Sequence, residues 1–455
     1  MKHSTDKSDF TQGSIPQNII RMAVPMTAAV LINALYSIVD RIYLGHIQGA
    51  GSYALTGIGL AFPIITIITA FQNLFGNGGA PLFAMASGKG DKELAARYMQ
   101  NAAFMLIAVG LALTGIAYAV KKPVLWLIGA SEVTFPYADD YLNVYLIGTI
   151  FVMISVGLNP YINAQGYART GMMTVMIGAV INIVLDPLFI FVFKLGVRGA
   201  AIATIIAQFV SAAWVLKFLF GKHTPIRLTF RGFRPNLGII GKIMALGVTD
   251  FCFALTNSAV SMFSNARLQV LGGDSWVGAM TVISSIREVL LTVMHGVSGA
   301  AKPIMSYNYG AKRFDRTKAT SNYLFIMVLA YFLIVWVLVM VWPGFFAGLF
   351  TEESSVYQCS IIAIRVFFCL QFFMAMQTTG QSTFTALGMA RYALFFSLFR
   401  KAILVIPLIY ILPNMFNLGV LGVFAAEPVS DVIGATACFV TMKVTTNRKL
   451  RPVTT

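Results

Sequence analysis

The sequence predicts an all-α integral membrane protein. About twelve transmembrane helices form two six-helix lobes related by a pseudo-two-fold axis along the membrane normal. Three observations predict this. Of the 455 residues, 58% are hydrophobic and only 11% charged, and the mean hydropathy is +0.77, which is the composition of a polytopic membrane protein. Apolar runs recur along the whole chain, each long enough to cross a ~30 Å hydrocarbon core at ~1.5 Å rise per residue. Segments of the first half also return in the second.

Taken in order, the spanning runs fall at roughly 18–46, 53–84, 94–120, 137–158, 162–193, 198–219, 236–264, 276–301, 317–343, 356–381, 391–413 and 418–443, each judged by length and polar punctuation. Residues 1–17 read as a cytoplasmic tail, 18–219 as the N-lobe, 220–235 as a cytoplasmic linker, 236–443 as the C-lobe and 444–455 as a second cytoplasmic tail. The opening residues, MKHSTDKSDFTQGSI, carry no apolar core, so no cleavable signal is expected. Pro25, Pro63 and Pro187 fall inside first-half runs and are candidate kinks.

The net charge is +16 and the pI ≈ 9.7. In a soluble protein that would suggest nucleic acid; here it reports topology. With the N-terminus inside, the inner segments hold most of the basic residues, from Lys2, Lys7, Arg21, Lys89 and Lys92 through Lys222, Arg227, Arg231, Arg313 and Arg316 to Lys443, Lys449 and Arg451. The outer segments hold only Lys121, Lys122, Lys194, Arg198 and Arg267. The asymmetry predicts an even span count with both termini in the cytoplasm; the chain is expected in the plasma (inner) membrane as a multi-pass protein. It accounts for the charge without a nucleic-acid partner.

Enzyme chemistry finds no support. Cys252, Cys359, Cys369 and Cys438 have no close spacing and read as small buried hydrophobes. His3, His46, His223 and His295 make no metal-ligand spacing. No nucleophile–base set is visible. GKGD at 88–91 lacks the spacing of a phosphate-binding loop, so a pump built on this chain draws on an ion gradient.

The repeat lies in corresponding inner loops. GGAPLFAMASGKGDK (78–92) lines up with SGAAKPIMSYNYGAK (298–312), matching Gly79 to Gly299, Ala80 to Ala300, Met85 to Met305, Gly90 to Gly310 and Lys92 to Lys312. NAQGYAR (163–169) lines up with TALGMAR (385–391), matching Gly166 to Gly388 and Arg169 to Arg391, at nearly the same shift. Six spans per half in one orientation is the arrangement of parallel transporter repeats.

Polar residues inside the first-half runs carry the functional signal. GMMTVMIGAVINIVLDPLFIFVF (171–193) holds Asn182 and Asp186 four residues apart on one helix face, followed at once by Pro187. Pro187 cannot donate, so a backbone carbonyl one turn earlier loses its usual partner. A carboxylate at membrane depth costs roughly 2.5–3.5 kcal/mol on insertion scales, so it faces a polar cavity and works there, or is paired between packed helices. The first run places Asn33, Ser37 and Asp40 at i, i+4 and i+7, with Tyr36 beside the stripe and Arg41 near the outer end, where it could snorkel. Counting ~1.5 Å per residue, Asp40 lies about 28 Å from the inner end of its run, Asp186 about 22 Å from its own, and Thr204 about 9 Å below the outer face. All three therefore fall in the outer half of the membrane. Two carboxylates, an amide and a hydroxyl make an oxygen-rich cluster that could hold Na⁺ or H⁺, or could fix helix packing. In the second half Arg287 and Glu288 are adjacent, Glu427 and Asp431 lie at i and i+4, and Asp250 sits near an inner end. Arg287 or Arg400 paired with Glu288 or Glu427 would make an internal ion pair, and a substrate contact is the other reading.

Pro25 and the stretch to VDRIYLG (39–45), GNGGAPLFAMASGKGD (76–91), NPYINAQG (159–166), NIVLDP (182–187) and GAAIAT (199–204) together resemble the multidrug and toxic compound extrusion (MATE) transporters, in their DinF-like branch, over nearly the whole chain. The resemblance implies two six-helix lobes enclosing a central cleft. It also implies alternating access that exchanges a cation gradient for export of organic, often cationic amphipathic compounds. It carries the ion-coupling site onto Asp40, Asn182, Asp186 and Thr204, for H⁺ or Na⁺, and the substrate cavity onto Asn33, Tyr36 and Asn159. The acidic residue that the NorM-like branch uses in its seventh span is Thr256 here. Arg287, Glu288, Glu427 and Asp431 remain a candidate second-lobe polar network. The partners expected are small organic substrates and the bilayer, for a chain able to work as a monomer with no cofactor beyond the coupling ion. The alternatives are a flippase for a lipid-linked precursor or other solute, which would want a strongly cationic cavity, and a non-transporting membrane scaffold.

Overall fold

The computed structural model describes residues 10–47, 51–222, 224–351, 353–415 and 417–450, without the side chains of Arg41, Gly51 and Ser52. The readings made above on Lys2, His3, Lys7, His223 and Arg451, and on the reach of the Arg41 side chain, lie outside the described residues. The described residues are helical and contain no strand.

Among the described residues eleven helices are long and apolar enough to cross a membrane: α1 (Ile15–Gly45), α2 (Tyr53–Gly88), α3 (Lys92–Leu127), α4 (Phe135–Ala164), α5 (Ala168–Val192), α6 (Gly196–Phe220), α7 (Leu237–Gly272), α8 (Asp274–Gly310), α9 (Phe314–Val341), α11 (Ala390–Asn414) and α12 (Val420–Lys449). Between α9 and α11, α10 is the pair Ser354–Phe367 and Gln371–Ala386, bent by 49°, which brings the count to twelve. Boundaries move where punctuation misled. Residues 162–164, read above as the start of the fifth span, close α4 together with Asn159–Tyr161, since Pro160 stands in a first helical turn, where its missing N–H costs nothing. Residues 444–449, assigned above to a tail, continue α12.

The chain forms two compact units: Val24–Gly247 in the first, and Thr11–Ala23 with Val248–Thr455 in the second. In the first, the glycines of α2 let helix backbones touch, as small residues do in membrane bundles. A Cβ on Gly76 would stand 2.6 Å from the Gly157 carbonyl oxygen of α4, and one on Gly78 2.4 Å from the Ile243 carbonyl of α7. The Tyr161 hydroxyl uses the adjacent space above Gly79 to donate to the Phe75 carbonyl, 3.1 Å away. Near the far end of α3, buried Lys121 is held by Asp139 and Asn143, each at 2.5 Å, and Arg198 reaches Asp140 at 2.7 Å. The basic linker is tied down too: Gln100 donates to the Thr229 carbonyl at 2.6 Å, and Gln165 accepts from the Ile226 N–H.

In the second unit Ile283, Ile286, Phe368, Ile409 and Phe424 belong to one extended apolar core. Arg313 and Arg316 bind the carbonyls of Thr11, Gln12 and Gly13, which fastens the chain just before α1 to the start of α9.

The repeat is written in the turns. Gly166 and Gly388 both take positive φ (90° and 69°) to end α4 and α10. In each, the next residue closes the helix, Tyr167 N–H on Ile162 and Met389 N–H on Phe384. The same offset links Gly90 to Lys312, both at positive φ, and the Asp91 to Ala86 bond to the Arg313 to Asn308 bond. This corrects the register read above, which paired Gly90 with Gly310. The left-handed position is filled by lysine in the second half, so a match on glycine identity slipped by two residues. One residue further, Lys194 and Gly196 pair with Asn417 and Gly419, again all at positive φ. Gly199 backs onto Phe189 of α5 as Gly422 backs onto Leu412 of α11.

Candidate functional site

α5 holds the acid. Asn182 and Asp186, one turn apart, are 2% and 0% exposed. Asn182 Nδ2 donates to Asp186 Oδ1 at 3.2 Å and to Thr204 Oγ1 of α6 at 3.4 Å. The α-helix stops at Pro187, and Leu188–Val192 continues as a π-helix, the wider winding that a missing N–H favours and that recurs at functional sites. The Asp186 carboxyl lies within hydrogen-bond reach of Asp40 on α1. Ionised, both groups only accept hydrogen bonds, so such an approach needs a proton or a cation between them. Asn182 Oδ1 and Asp186 Oδ2 are sealed from solvent, with no hydrogen-bond donor assigned to them among the described residues. Those two oxygens are chemically suited to a hard cation.

Beside this pair is a small cavity of about 40 Å³ lined by Asn33 and Tyr36 of α1, Asn159 of α4, Asn182 of α5, and Thr204 and Gln208 of α6. Asn159 donates to the Gly171 carbonyl at 3.0 Å, and its Oδ1 is buried without a partner among the described residues. Gln208 accepts from Ser155 at 2.6 Å. Gly178 keeps the cavity open, because a Cβ there would meet the Ser211 hydroxyl at 2.7 Å. The structure thus brings the seven first-half residues named above into one neighbourhood of the first unit. Sequence reasoning missed Tyr141 on α4. It is 6% exposed and within electrostatic reach of both Asp40 and Asp186. A tyrosine amid an amphipathic run gives no signal by itself.

The second-half charges also assemble, with a different membership. Glu427 accepts from Lys401 at 2.5 Å, Arg400 at 3.2 Å and Arg287 at 3.4 Å, and Asp431 accepts from Arg400 at 2.5 Å. Glu288 is exposed and stands outside this cluster, since neighbours on a helix point about 100° apart. Lys401, wholly buried, was not singled out in the sequence beside Arg400. Thr256 spends its hydroxyl on the Cys252 carbonyl of its own helix. Among the described residues no group of three or more His, Cys, Asp or Glu could hold a metal ion.

Eleven candidate spans and one bent pair among the described residues, with polar residues buried among them, describe an integral membrane protein, and the comparisons say of which family. The family model MatE matches residues 25–188 and 251–411, once in each half. The multidrug export protein MepA of Staphylococcus haemolyticus (strain JCSC1435) is 22% identical over 410 residues, covering 90% of this chain and 89% of that one. MepA of Staphylococcus aureus (strain N315) is 20% identical over 409 residues, covering 90% of each. Among solved structures, a MATE transporter in the bent conformation superposes with a TM-score of 0.90 at 23% identity, over 96% of each chain. The outward-facing conformation of a multidrug resistance MATE family transporter gives 0.90 at 23%, over 98% of this chain and 99% of that one. The chain belongs to the MatE family of membrane transporters.

Proposed function

We propose that the protein is a cation-coupled antiporter that exports organic, often cationic amphipathic compounds by alternating access, as a monomer in the plasma (inner) membrane with both termini cytoplasmic. The observation that carries this reading is the Asp186 carboxyl, 0% exposed and within reach of Asp40, beside a polar cavity that shares Asn182 and Thr204 with it. A proton or Na⁺ between the two carboxyls would be held by Asp40, Asn182, Asp186 and Thr204. Asn33, Tyr36 and Asn159 would meet the exported compound. The relatives named for multidrug export support the substrate class. The ion drives transport only if it binds the two access states unequally. The closeness of Asn182 and Thr204 to both ion site and cavity is a short physical route for such a preference.

The flippase reading would want a cationic cavity for phosphates, and no Lys or Arg lines this one. The test is uptake of a fluorescent organic cation into proteoliposomes under imposed H⁺ or Na⁺ gradients. Uptake driven by one gradient and abolished by Asp186→Asn supports the reading. Equal uptake with and without a gradient overturns it.

A further inference from the structure

Two features of the second unit have no part in the reading above. The first is a surplus of buried charge. Three cations, Arg287, Arg400 and Lys401, meet two carboxylates, Glu427 and Asp431. The charged groups that act on Lys401, Glu427 and Asp431 are drawn from this cluster. Arg400 and Lys401 are 2% and 0% exposed. Arg400 Nη2 is sealed from solvent with no partner among the described residues. Arg287 holds its neighbours loosely, Glu427 and Asn257 each at 3.4 Å, and its side chain is 22% exposed. A buried guanidinium nitrogen and a net positive charge are each costly unless something answers them.

The second feature is where the cluster sits in the repeat. The offset that joins Gly166 to Gly388 takes Gly178 to Arg400 and Ala179 to Lys401. The offset that joins Gly196 to Gly419 takes Thr204 to Glu427, Gln208 to Asp431 and Ser211 to Gly434. Packing agrees: Gly178 faces Ser211 in the first unit, and Gly434 faces the Arg400 stem in the second, where a Cβ would stand 2.9 Å from Arg400 Cγ. The first-unit members of these pairs all line the cavity beside Asp186. Positions that in the first unit surround an opening suited to a cation therefore carry, in the second, a cluster short of one negative charge.

We propose that the second-unit cluster is an anion site, the counterpart by repeat of the first-unit cavity. A monoanion completes it, accepting hydrogen bonds from Arg400 Nη2 and the partly exposed Arg287 fork. Planar guanidinium forks match carboxylates in particular, and chloride offers the same charge without the fork geometry. The ligand is therefore an organic carboxylate or chloride.

The test is equilibrium binding of radiolabelled benzoate and, in a separate arm, radiolabelled chloride to the full-length protein in nanodiscs of neutral lipid, with sulfate as the background anion. It does not depend on the export reading, since no transport is measured. Saturable binding at one site per chain is expected in at least one arm, and the arm that binds identifies the anion. Lys401→Met removes the surplus charge at nearly constant volume. It is expected to weaken binding at least tenfold while the melting temperature holds or rises, because two cations then face two carboxylates. Arg287→Gln, at the exposed edge, should also weaken binding at least tenfold and serves if Lys401→Met does not fold. No saturable binding in either arm overturns the proposal, as does unchanged affinity in a folded variant.

Discussion

The amide nitrogen of Asn182 donates to one carboxyl oxygen of Asp186, 3.2 Å away and one turn along α5, while the Asn182 amide oxygen and the second Asp186 oxygen are buried with no donor assigned among the described residues. A hydrogen-bonded patch serving only to pack helices would use its acceptors. This one leaves two of them for something small and positively charged. Replacing Asn182 by Leu removes the donor to Asp186 and an oxygen from the site. The expected outcome is at least a tenfold fall in gradient-driven transport, with a stability loss of about 1–3 kcal/mol. Paired transport and thermal-denaturation measurements on the same preparation check it.

Gly171 is the next point of sensitivity. A Cβ there would stand 2.3 Å from Asn163 Oδ1 and 2.7 Å from Asn159 Oδ1. Gly171→Ala must displace Asn159 from the Gly171 carbonyl and so reshape the cavity. A loss of about 1–3 kcal/mol is expected, with an apparent affinity for the organic cation that falls more than the maximal rate. Transport titrated against substrate concentration separates the two effects.

Gly79 and Tyr161 should behave as a pair. The Tyr161 hydroxyl occupies the space a Gly79 side chain would need, at 1.8 Å from the Cβ position. Gly79→Ala alone should be severely destabilising. Adding Tyr161→Phe removes the clashing atom at the cost of one hydrogen bond, about 1 kcal/mol. The double variant is expected to melt at a higher temperature than Gly79→Ala, and strict additivity would contradict this packing.

Lys121 is a test of structure without function. It is 4% exposed and bound to Asp139 and Asn143. Lys121→Met leaves a partly buried carboxylate unanswered, for an expected loss of about 3 kcal/mol. Transport per folded molecule should stay near the wild-type level, which separates this pair from the Asp40–Asp186 pair.

Much of the fold was legible because the bilayer imposes length and hydropathy on every span. The buried polar pair was legible for a related reason: Asp186 and Asn182 are anomalous in an apolar run, and their four-residue spacing fixes their common face. What escaped depends on contacts made across the chain. Tyr141 gains meaning only from two carboxyls on α1 and α5. Lys401 gains it from Glu427, far along the sequence. The 49° bend of α10 sits at an apolar FFCLQFF stretch that looks continuous to any hydropathy window. The register of the first repeated loop slipped because Lys312 adopts the left-handed turn that Gly90 adopts, and residue identity does not reveal conformation.

The central claim is that Asp40 and Asp186 share the ion that drives export. The most direct measurement is uptake of a fluorescent organic cation into proteoliposomes containing wild-type protein, Asp40→Asn or Asp186→Asn, with H⁺ and Na⁺ gradients imposed separately. The account predicts that one gradient drives uptake in the wild type and that both variants, expressed and folded, fall to the protein-free background. Wild-type uptake in both variants under the same gradient would contradict it.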